Sequence, residues 1–90
     1  MDIKHYVYML RCSDGSLYTG YSTDPIRRLS EHNNSSKGSK YTRSRRPCVL
    51  VHLEIYDTKS EALKRECQIK KLNKKEKEGL VLDGFNRFRI

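Results

Sequence analysis

Helical spacing places one glutamate, Glu66, among apolar side chains. Counting about 100° per residue from Ala62, Glu66 falls near 40°, inside the arc between Ile69 and Leu63. A carboxylate turned toward a core costs several kcal/mol unless a positive or donating group meets it. Lys70, one turn along the helix, could do so in an ion pair. A divalent metal such as Mg²⁺ could also do so, since Mg²⁺ binds through one or two carboxylates with water and phosphate oxygens. Spacing alone supports both interpretations equally.

A run of basic residues from Lys37 to Arg46 could bind phosphate. It carries five positive charges, and no acidic residue occurs between residues 32 and 53. Guanidinium and hydroxyl groups together are frequent donors to a phosphate backbone. A solvated loop accounts for the charges equally well. The residues expected to contact a substrate here are Lys40, Tyr41, Arg43, Arg45 and Arg46.

The elements that must position these groups begin with a hairpin. Residues 5–12 and 17–22 predict two strands, joined by a turn over residues 13–16. Three tyrosines lie in these strands, at Tyr6, Tyr8 and Tyr18. Tyrosine fits a half-buried strand well, so its enrichment alone indicates a fold and not a site.

A basic helix follows the hairpin. Thr23 or Asp24 can cap its N-terminus, and Pro25 suits its first position. We expect the helix to end at about residue 33 or 34. Arg28 and His32 lie one turn apart on it and therefore share a stripe of its surface.

The second half of the chain predicts one strand and two helices. Residues 48–56 are almost continuously apolar, which predicts a strand that is buried on both faces and central in the sheet. We interpret His52 in this strand as a packed histidine. Capping boxes beginning at Thr58 and Asn73 predict a helix to about residue 72 and a short helix to about residue 81. Asp83-Gly84 is a predicted turn.

The element order β-β-α-loop-β-α-α predicts an α+β fold, a three-stranded antiparallel sheet packed by helices. With 90 residues we expect one domain, over residues 1–82, and a C-terminal tail over residues 83–90. No internal repeat or domain boundary is visible.

Charge and composition predict the partner class. The formal net charge is +8, with 19 Lys and Arg against 11 Asp and Glu, and such a field attracts nucleic acid or an anionic membrane surface. No apolar run reaches about 18 residues, and the N-terminus lacks signal-peptide features. The three cysteines form no C-x-x-C pair, so we expect reduced thiols. We therefore expect a cytoplasmic protein that binds nucleic acid, with no membrane partner and no obligate protein partner.

From about residue 4 to residue 82 the chain resembles the GIY-YIG nuclease family, and most closely its small, stand-alone, largely uncharacterised bacterial members. Tyr6-Val7-Tyr8 matches the first motif, with Val for Ile and Tyr for Gly, and Tyr18-Thr19-Gly20 matches the second, with Thr for Ile. The ten residues from Tyr8 to Tyr18 and the four from Arg28 to His32 also fit.

The resemblance implies a role for each matching residue. Tyr8 and Tyr18 would position or deprotonate water, Arg28 would contact the scissile phosphate, and His32 matches the His or Tyr of the family. Glu66 would hold one divalent metal, Mg²⁺ or Mn²⁺. Tyr6 and Gly20 would lie at the substrate, the glycine by allowing close backbone approach. The chain departs from the family at Tyr21, where members often have lysine, and we assign no role to Asn73.

The chemistry agrees with these residue types. Phosphodiester hydrolysis needs an activated water and charge relief on the phosphate oxygens. A tyrosine near pKa 10 is a poor base at neutral pH. An arginine or metal could lower that pKa, or His32 could accept the proton, and the sequence does not choose between these routes.

Two functions from different classes follow. One is a metal-dependent endonuclease, with DNA favoured over RNA, and the other is a nucleic-acid-binding module without cleavage. The run of basic residues 37–46, which we call the basic loop, supports both functions equally. Glu66 favours the endonuclease, because a binding module has no need of a carboxylate beside phosphates. The absence of a second, DNA-binding domain favours the module.

The proposed site requires one particular register of the hairpin. A two-residue turn at Asp14-Gly15 is the local preference, and it would point Tyr8 and Tyr18 to opposite faces of the sheet. A three-residue loop with Gly15 in the left-handed conformation instead pairs Tyr8 with Gly20. We predict the three-residue loop, because it brings both tyrosines to one face.

Overall fold

The computed structural model describes the backbone of residues 3–88 and the side chains of residues 3–83. Its strands are β1 (His5–Arg11), β2 (Leu17–Ser22) and β3 (Val49–Tyr56). Its helices are α1 (Pro25–Asn34), α2 (Lys40–Arg43), α3 (Lys59–Lys70) and α4 (Lys74–Phe88). Within these residues, every helix is too short or too polar to cross a lipid bilayer.

The sheet is antiparallel with strand order β2-β1-β3, which confirms the predicted fold class. The prediction that β3 is central was wrong, since β1 pairs with both neighbours and β3 lies at an edge. Val7 to Leu10 of β1 are at most 2% exposed, whereas Val49 and Ile55 of β3 are 54% and 59% exposed. An apolar run indicates that a strand is buried, but it does not indicate whether the strand has a hydrogen-bonded neighbour on both sides.

The hairpin register is the one that the site demands. Tyr8 pairs with Gly20 and Leu10 pairs with Tyr18, which confirms the three-residue loop. Gly15 has a φ of +84°, and its N–H donates to the carbonyl of Cys12 over 2.9 Å. Tyr8 and Tyr18 therefore share one face, which we call the tyrosine face.

The two faces of the sheet bury separate clusters. Val7 and Met9 pack against Ala62 and Ile69 of α3 and against the side chains of Leu80 and Val81 in α4. On the tyrosine face, Tyr8 and Leu10 pack with Cys12 and Cys48, beside Leu29 of α1. The α1 helix thus covers the face that carries the candidate site.

Local capping explains where the helices begin. Asp24 accepts the N–H of Arg27 at the start of α1. Thr58 and Glu61 form the first predicted capping box, with the Glu61 N–H donating to Thr58 Oγ1 over 3.2 Å. Asn73 and Glu76 form the second, with exchanged bonds of 2.8 and 3.0 Å. Both boxes confirm the sequence prediction, and Asn73 is an N-cap.

Two local predictions were wrong. The segment before β3 was expected to be a loop throughout, but it contains the four-residue α2, whose N-cap Ser39 accepts the N–H of Thr42 over 3.1 Å. The turn predicted at Asp83-Gly84 does not form, because α4 continues through it to Phe88. A glycine inside a helix costs only about 1 kcal/mol, which a packed helix tolerates. The boundary between a domain over 1–82 and a tail over 83–90 stays a prediction, and residues 89 and 90 lie outside the described part.

Candidate active site on the tyrosine face

Tyr8 lies at the centre of the tyrosine face and is 2% exposed. Its hydroxyl is 2.8 Å from Nε2 of His32. Its ring lies 6.5 Å from that of Tyr18, centroid to centroid. The β1–β2 register and the last turn of α1 together produce this cluster, because they bring the second motif and the basic helix to the same strand position.

His32 is fully buried and its second ring nitrogen is also engaged. Nδ1 lies 2.8 Å from Oγ1 of Thr42 and accepts the backbone N–H of Ser39 over 3.3 Å. A backbone N–H can only donate, so we assign the ring proton to Nε2. In that tautomer Nε2–H donates to the oxygen of Tyr8, and the phenol proton of Tyr8 is left for another acceptor.

Tyr18 completes an aromatic cluster around His32. Its ring meets the His32 ring edge-on, with centroids 5.0 Å apart, and stacks on the Tyr41 ring at 5.9 Å. The guanidinium of Arg45 lies over the same Tyr41 ring, 3.9 Å from its centroid. The basic loop is therefore packed onto the candidate site through Tyr41.

Arg28 is fixed at the edge of this cluster. Its guanidinium donates to the carbonyl of Lys37 over 2.7 Å and to the carboxylate of Glu31 over 2.9 Å. Its positive charge lies close enough to affect both Tyr8 and His32. Two of its contacts are thus structural, and the charge remains available to the site.

Electrostatics leaves both central groups uncharged at neutral pH. Burial raises the pKa of Tyr8 well above its usual 10, the neighbouring Tyr18 raises it further, and Arg28 opposes the shift. Burial lowers the pKa of His32 to about 4, and the charge of Arg28 acts in the same direction. A neutral phenol and a neutral imidazole therefore face each other in the site.

Glu66 on α3 is linked to the same site by its charge. That negative charge raises the pKa of Tyr8, although less than burial and Tyr18 do. Its side chain is 19% exposed and pairs with Nζ of Lys70 at 3.2 Å, the ion pair that helical spacing allows. In the described part of the chain, no three metal-binding side chains of His, Cys, Asp or Glu come together. A single accessible carboxylate beside an exposed lysine fits a hard cation that keeps most of its waters, and it does not fit a zinc site.

Tyr6 and Gly20 also lie at the site. Tyr6 is two residues before Tyr8 on β1 and therefore on the tyrosine face, half-buried between Ser22 and Ile55. A Cβ on Gly20 would come within 2.5 Å of Cζ of Tyr8. The glycine is thus required by the tyrosine ring, which is a reason that differs from backbone approach to substrate.

The basic loop divides into tied and free cations. Arg46 donates to the carbonyls of His32 and Ser35, each over 2.5 Å, and so holds the end of α1. Arg45 pairs with Asp14 at 3.0 Å. Lys40 and Arg43 are exposed, and Arg43 contacts only a carbonyl of the loop itself among the described hydrogen bonds. Lys40 and Arg43 are thus the exposed members of the four cations predicted to contact a substrate.

Two groups of polar residues at or near the sheet were not predicted from the sequence. Ser39 and Thr42 set the tautomer of His32, and no spacing signal distinguished them from other loop hydroxyls. The second group lies on the opposite face, where Glu54 accepts bonds from His52 over 2.7 Å and from Arg65 over 2.9 Å. Burial would raise the pKa of Glu54, but bonds from His52, Arg65 and Tyr56 lower it to about 2. Strand alternation places His52 and Glu54 on one face and could have indicated this network.

A cavity of about 550 Å³ lies beside that network, lined by Leu53, Glu54, Ile55, Tyr56 and Arg65. Leu53 also packs against the buried cluster that contains Tyr8, but none of the five is a candidate site residue. The candidate active site is therefore defined by its chemistry and its contacts, and not by the size of a cavity.

A known protein family and several known proteins match most of the chain. Residues 4–79 match the family model described as the GIY-YIG catalytic domain. A UPF0213 protein of Staphylococcus saprophyticus is 53% identical over 81 residues, covering 90% of this chain and 98% of its own. One from Syntrophus aciditrophicus is 55% identical over 84 residues, covering 93% and 97%.

Two solved structures are similar over most of the chain. The solution NMR structure of the UPF0213 protein BH0048 from Bacillus halodurans has 50% identity and a TM-score of 0.59, covering 90% of this chain and 86% of that one. The solution NMR structure of the protein EF2693 from E. faecalis has 54% identity and a TM-score of 0.60, covering 84% and 80%.

Proposed function

This chain belongs to the GIY-YIG family, and from that premise we propose that it is a metal-dependent endonuclease that hydrolyses phosphodiester bonds in nucleic acid. The observation that carries the proposal is the contact of Tyr8, Tyr18 and His32 on one face. The charges of Arg28 and Glu66 act on that same cluster.

We assign Tyr8 the task of orienting the attacking water. Its oxygen accepts from Nε2–H of His32, so its own proton or, after ionisation, its lone pairs are directed away from the histidine. His32 and the charge of Arg28 both stabilise a phenolate at this position. Burial nevertheless keeps the pKa of Tyr8 well above its usual 10, so Tyr8 orients the water as a neutral phenol. Transfer of its proton to His32 is disfavoured, because Nε2 already carries one.

Arg28 is the proposed donor to the scissile phosphate. Its guanidinium is held in place by Lys37 and Glu31, so it need not be reorganised when charge develops on the phosphate oxygens. Tyr18 packs against His32 and keeps the ring aligned with Tyr8.

Glu66 is the residue that would hold the divalent cation, Mg²⁺ or Mn²⁺. When bound, such a cation relieves negative charge on the phosphate oxygens. Lys70 must leave the carboxylate for this to happen, and an exposed pair of this kind contributes little to stability.

Lys40 and Arg43 are the proposed contacts to flanking phosphates, because they are exposed and lie next to Tyr41 in α2. We favour DNA over RNA as substrate. The second candidate, a nucleic-acid-binding module without cleavage, is favoured by one observation: Tyr8 is 2% exposed and His32 is fully buried, so substrate or water must enter a closed cluster.

Cleavage assays on the intact chain distinguish the two candidates. Supercoiled plasmid, branched DNA and RNA are each incubated with Mg²⁺, Mn²⁺ or EDTA, and the products are separated on gels. Nicking that needs metal and stops in EDTA is the expected result. Binding to these substrates without cleavage in any metal would establish the binding module instead.

A further inference from the structure

The turn between β1 and β2 is held from two sides by basic segments that are distant in sequence. On one side, Arg45 pairs with Asp14 at 3.0 Å, and the Ser13 N–H donates to the Arg45 carbonyl over 2.9 Å. On the other side, Nζ of Lys74 donates to the carbonyl of Gly15 over 3.3 Å. The basic loop and the start of α4 thus meet at the same turn.

The second basic segment is the junction of α3 and α4, residues 70–75, which we call the α3–α4 corner. Its sequence, KKLNKK, contains four lysines and no acidic residue. All four lysines are exposed: Lys70, Lys71, Lys74 and Lys75. Within residues 3–83, the ion pairs found for them are Lys70 with Glu66 and Lys74 with Glu78, each at 3.2 Å.

Local stability explains only part of this charge. Lys70 and Lys71 lie at the C-terminus of α3, where the helix dipole favours positive side chains. Lys74 and Lys75 occupy the first turn of α4, where the helix dipole opposes positive side chains. Glu76, the next acidic residue, is engaged in the capping box with Asn73. The lysines of these two pairs are 54% and 68% exposed, so the pairs are weak and leave most of the positive field uncompensated.

The α3–α4 corner is continuous with the candidate active site. Lys70 lies one helical turn after Glu66 and touches its carboxylate. Lys74 is the first residue of α4, four residues further along the chain, and it reaches the β1–β2 turn. Between that turn and α4 lies a cavity of about 170 Å³, lined by Ser16, Leu17, Lys74 and Lys77. A line of positive charge therefore runs from Glu66 to the end of the sheet.

We propose that the α3–α4 corner is a second phosphate-binding surface, so that a nucleic-acid backbone passing Glu66 continues across the corner beside the β1–β2 turn, opposite the basic loop. This rests on the proposed function in one respect, namely that the partner is a nucleic acid. The basic loop and the α3–α4 corner together define a substrate path that extends beyond the scissile phosphate on one side.

The test measures the salt dependence of binding to a labelled DNA duplex in EDTA, which prevents cleavage. The triple variant Lys70→Gln, Lys71→Gln, Lys75→Gln removes three charges and leaves Lys74 at the turn. Each phosphate that a lysine no longer neutralises reduces the slope of log K against log salt by roughly 0.9, so three such phosphates reduce it by up to about 2.7.

The matched control removes three charges at other positions: Lys4→Gln, Lys59→Gln, Lys64→Gln. Lys4 pairs with Asp57 and Lys59 lies near Tyr21, both at the end of the sheet away from the turn. Lys64 precedes Glu66 by two residues and so points to another side of α3. We expect the control slope to stay close to that of the original chain.

Three outcomes overturn the inference: an unchanged slope in the corner variant, an equal flattening in the control variant, or no binding of the duplex at all. An effect confined to anionic phosphatidylserine vesicles, measured in parallel, would also overturn it and would identify a membrane surface. Because binding is measured without metal, a flattened slope supports the corner even if the cleavage assays detect no nuclease.

Discussion

Gly20 and Tyr8 lie directly opposite each other in the β1–β2 ladder, and the tyrosine ring fills the space that a side chain on Gly20 would need. The glycine of the second motif is therefore linked to the tyrosine of the first by steric exclusion. The position of the Tyr8 hydroxyl, and hence its bond to His32, depends on this absence of a Cβ.

Gly20→Ala is expected to push Tyr8 away from His32. Overpacking of a buried site typically costs about 1–3 kcal/mol, and the displaced hydroxyl should also reduce cleavage. Chemical denaturation and the cleavage assay measure the two effects. Gly79→Ala is the control, since a Cβ there meets nothing within 4 Å. In the helix it should stabilise by up to about 1 kcal/mol. Equal stability of the two variants would contradict the steric argument.

Glu66→Gln is expected to abolish metal-dependent cleavage and to leave the fold and nucleic-acid affinity nearly intact. The substitution keeps the shape of the side chain and removes the charge that a cation needs. Glu61→Gln on the same helix is the control, because glutamine also satisfies the capping box with Thr58. Full activity of the Glu66→Gln protein would exclude the proposed metal site.

Arg28→Ala is expected to slow cleavage about 100- to 1000-fold, the usual cost of losing a preorganised donor to developing charge. Arg27→Ala, at an exposed neighbouring position, should have little effect on rate. Circular dichroism must accompany the kinetics, because Arg28 also donates to the Lys37 carbonyl. Equal loss of activity in both variants would show that Arg28 is not the donor to the scissile phosphate.

Unfolding should depend on pH through His32. Its pKa is 6.5 in an unfolded chain and about 4 in the fold, so the unfolded state binds the extra proton first. Stability therefore falls as the pH drops from 6.5 toward 4, by about 3 kcal/mol at most. Arg28 and Arg46 contribute to this shift, and Glu31 opposes it.

Urea unfolding at pH 7 and at pH 5 measures this dependence, with His32→Gln as the comparison. The loss of stability between the two pH values should be smaller in the variant. Glu54 does not confuse the comparison, because its pKa is lowered from 4.5 to about 2 and its contribution is lost only below that window. Identical losses in both proteins would show that another group titrates.

The cations of the basic loop should separate into two classes. Lys40→Gln with Arg43→Gln is expected to reduce the salt slope of duplex binding by roughly 1.8 while leaving stability unchanged. Arg46→Gln should instead destabilise the protein by about 1.5–3 kcal/mol, because its bonds to carbonyls at the end of α1 are charge-assisted. Salt titration and denaturation are run on both. A stable Arg46→Gln protein with a flattened slope would place Arg46 at the substrate.

Much of the fold was predictable because its signals are local. Capping boxes at Thr58 and Asn73 marked the helix starts, and Pro25 marked the start of α1. The hairpin register was predictable only by combining the local turn preference with the requirement that Tyr8 and Tyr18 share a face. The Asp14-Gly15 preference alone indicates a two-residue turn. The edge position of β3 was not predictable from its composition, because pairing depends on strands far away in sequence.

The candidate site was predictable as a set of residues but not as a set of contacts. Tyr8, Tyr18, Arg28 and His32 were proposed from their match to the motifs of the GIY-YIG family. No pattern in the chain indicated that Arg46 holds the end of α1, because a positive charge looks the same whether it faces solvent or a carbonyl. The bonds of Ser39 and Thr42 to His32 depend on how a short helix docks, which no periodicity records.

Ser39, the N-cap of α2, and Thr42 within α2 link this short helix to strand β1 through His32 and Tyr8. Both edges of β1 are paired, so its amide protons should exchange with solvent only when the whole domain opens. The four-residue α2 has few such bonds, so we expect its amide protons to exchange faster than those of β1. An opening of α2 would separate Ser39 and Thr42 from Nδ1 of His32 and free the ring to change its tautomer. Local opening of the basic loop would then be coupled to proton exchange at Tyr8, while the strand that carries Tyr8 stays in place.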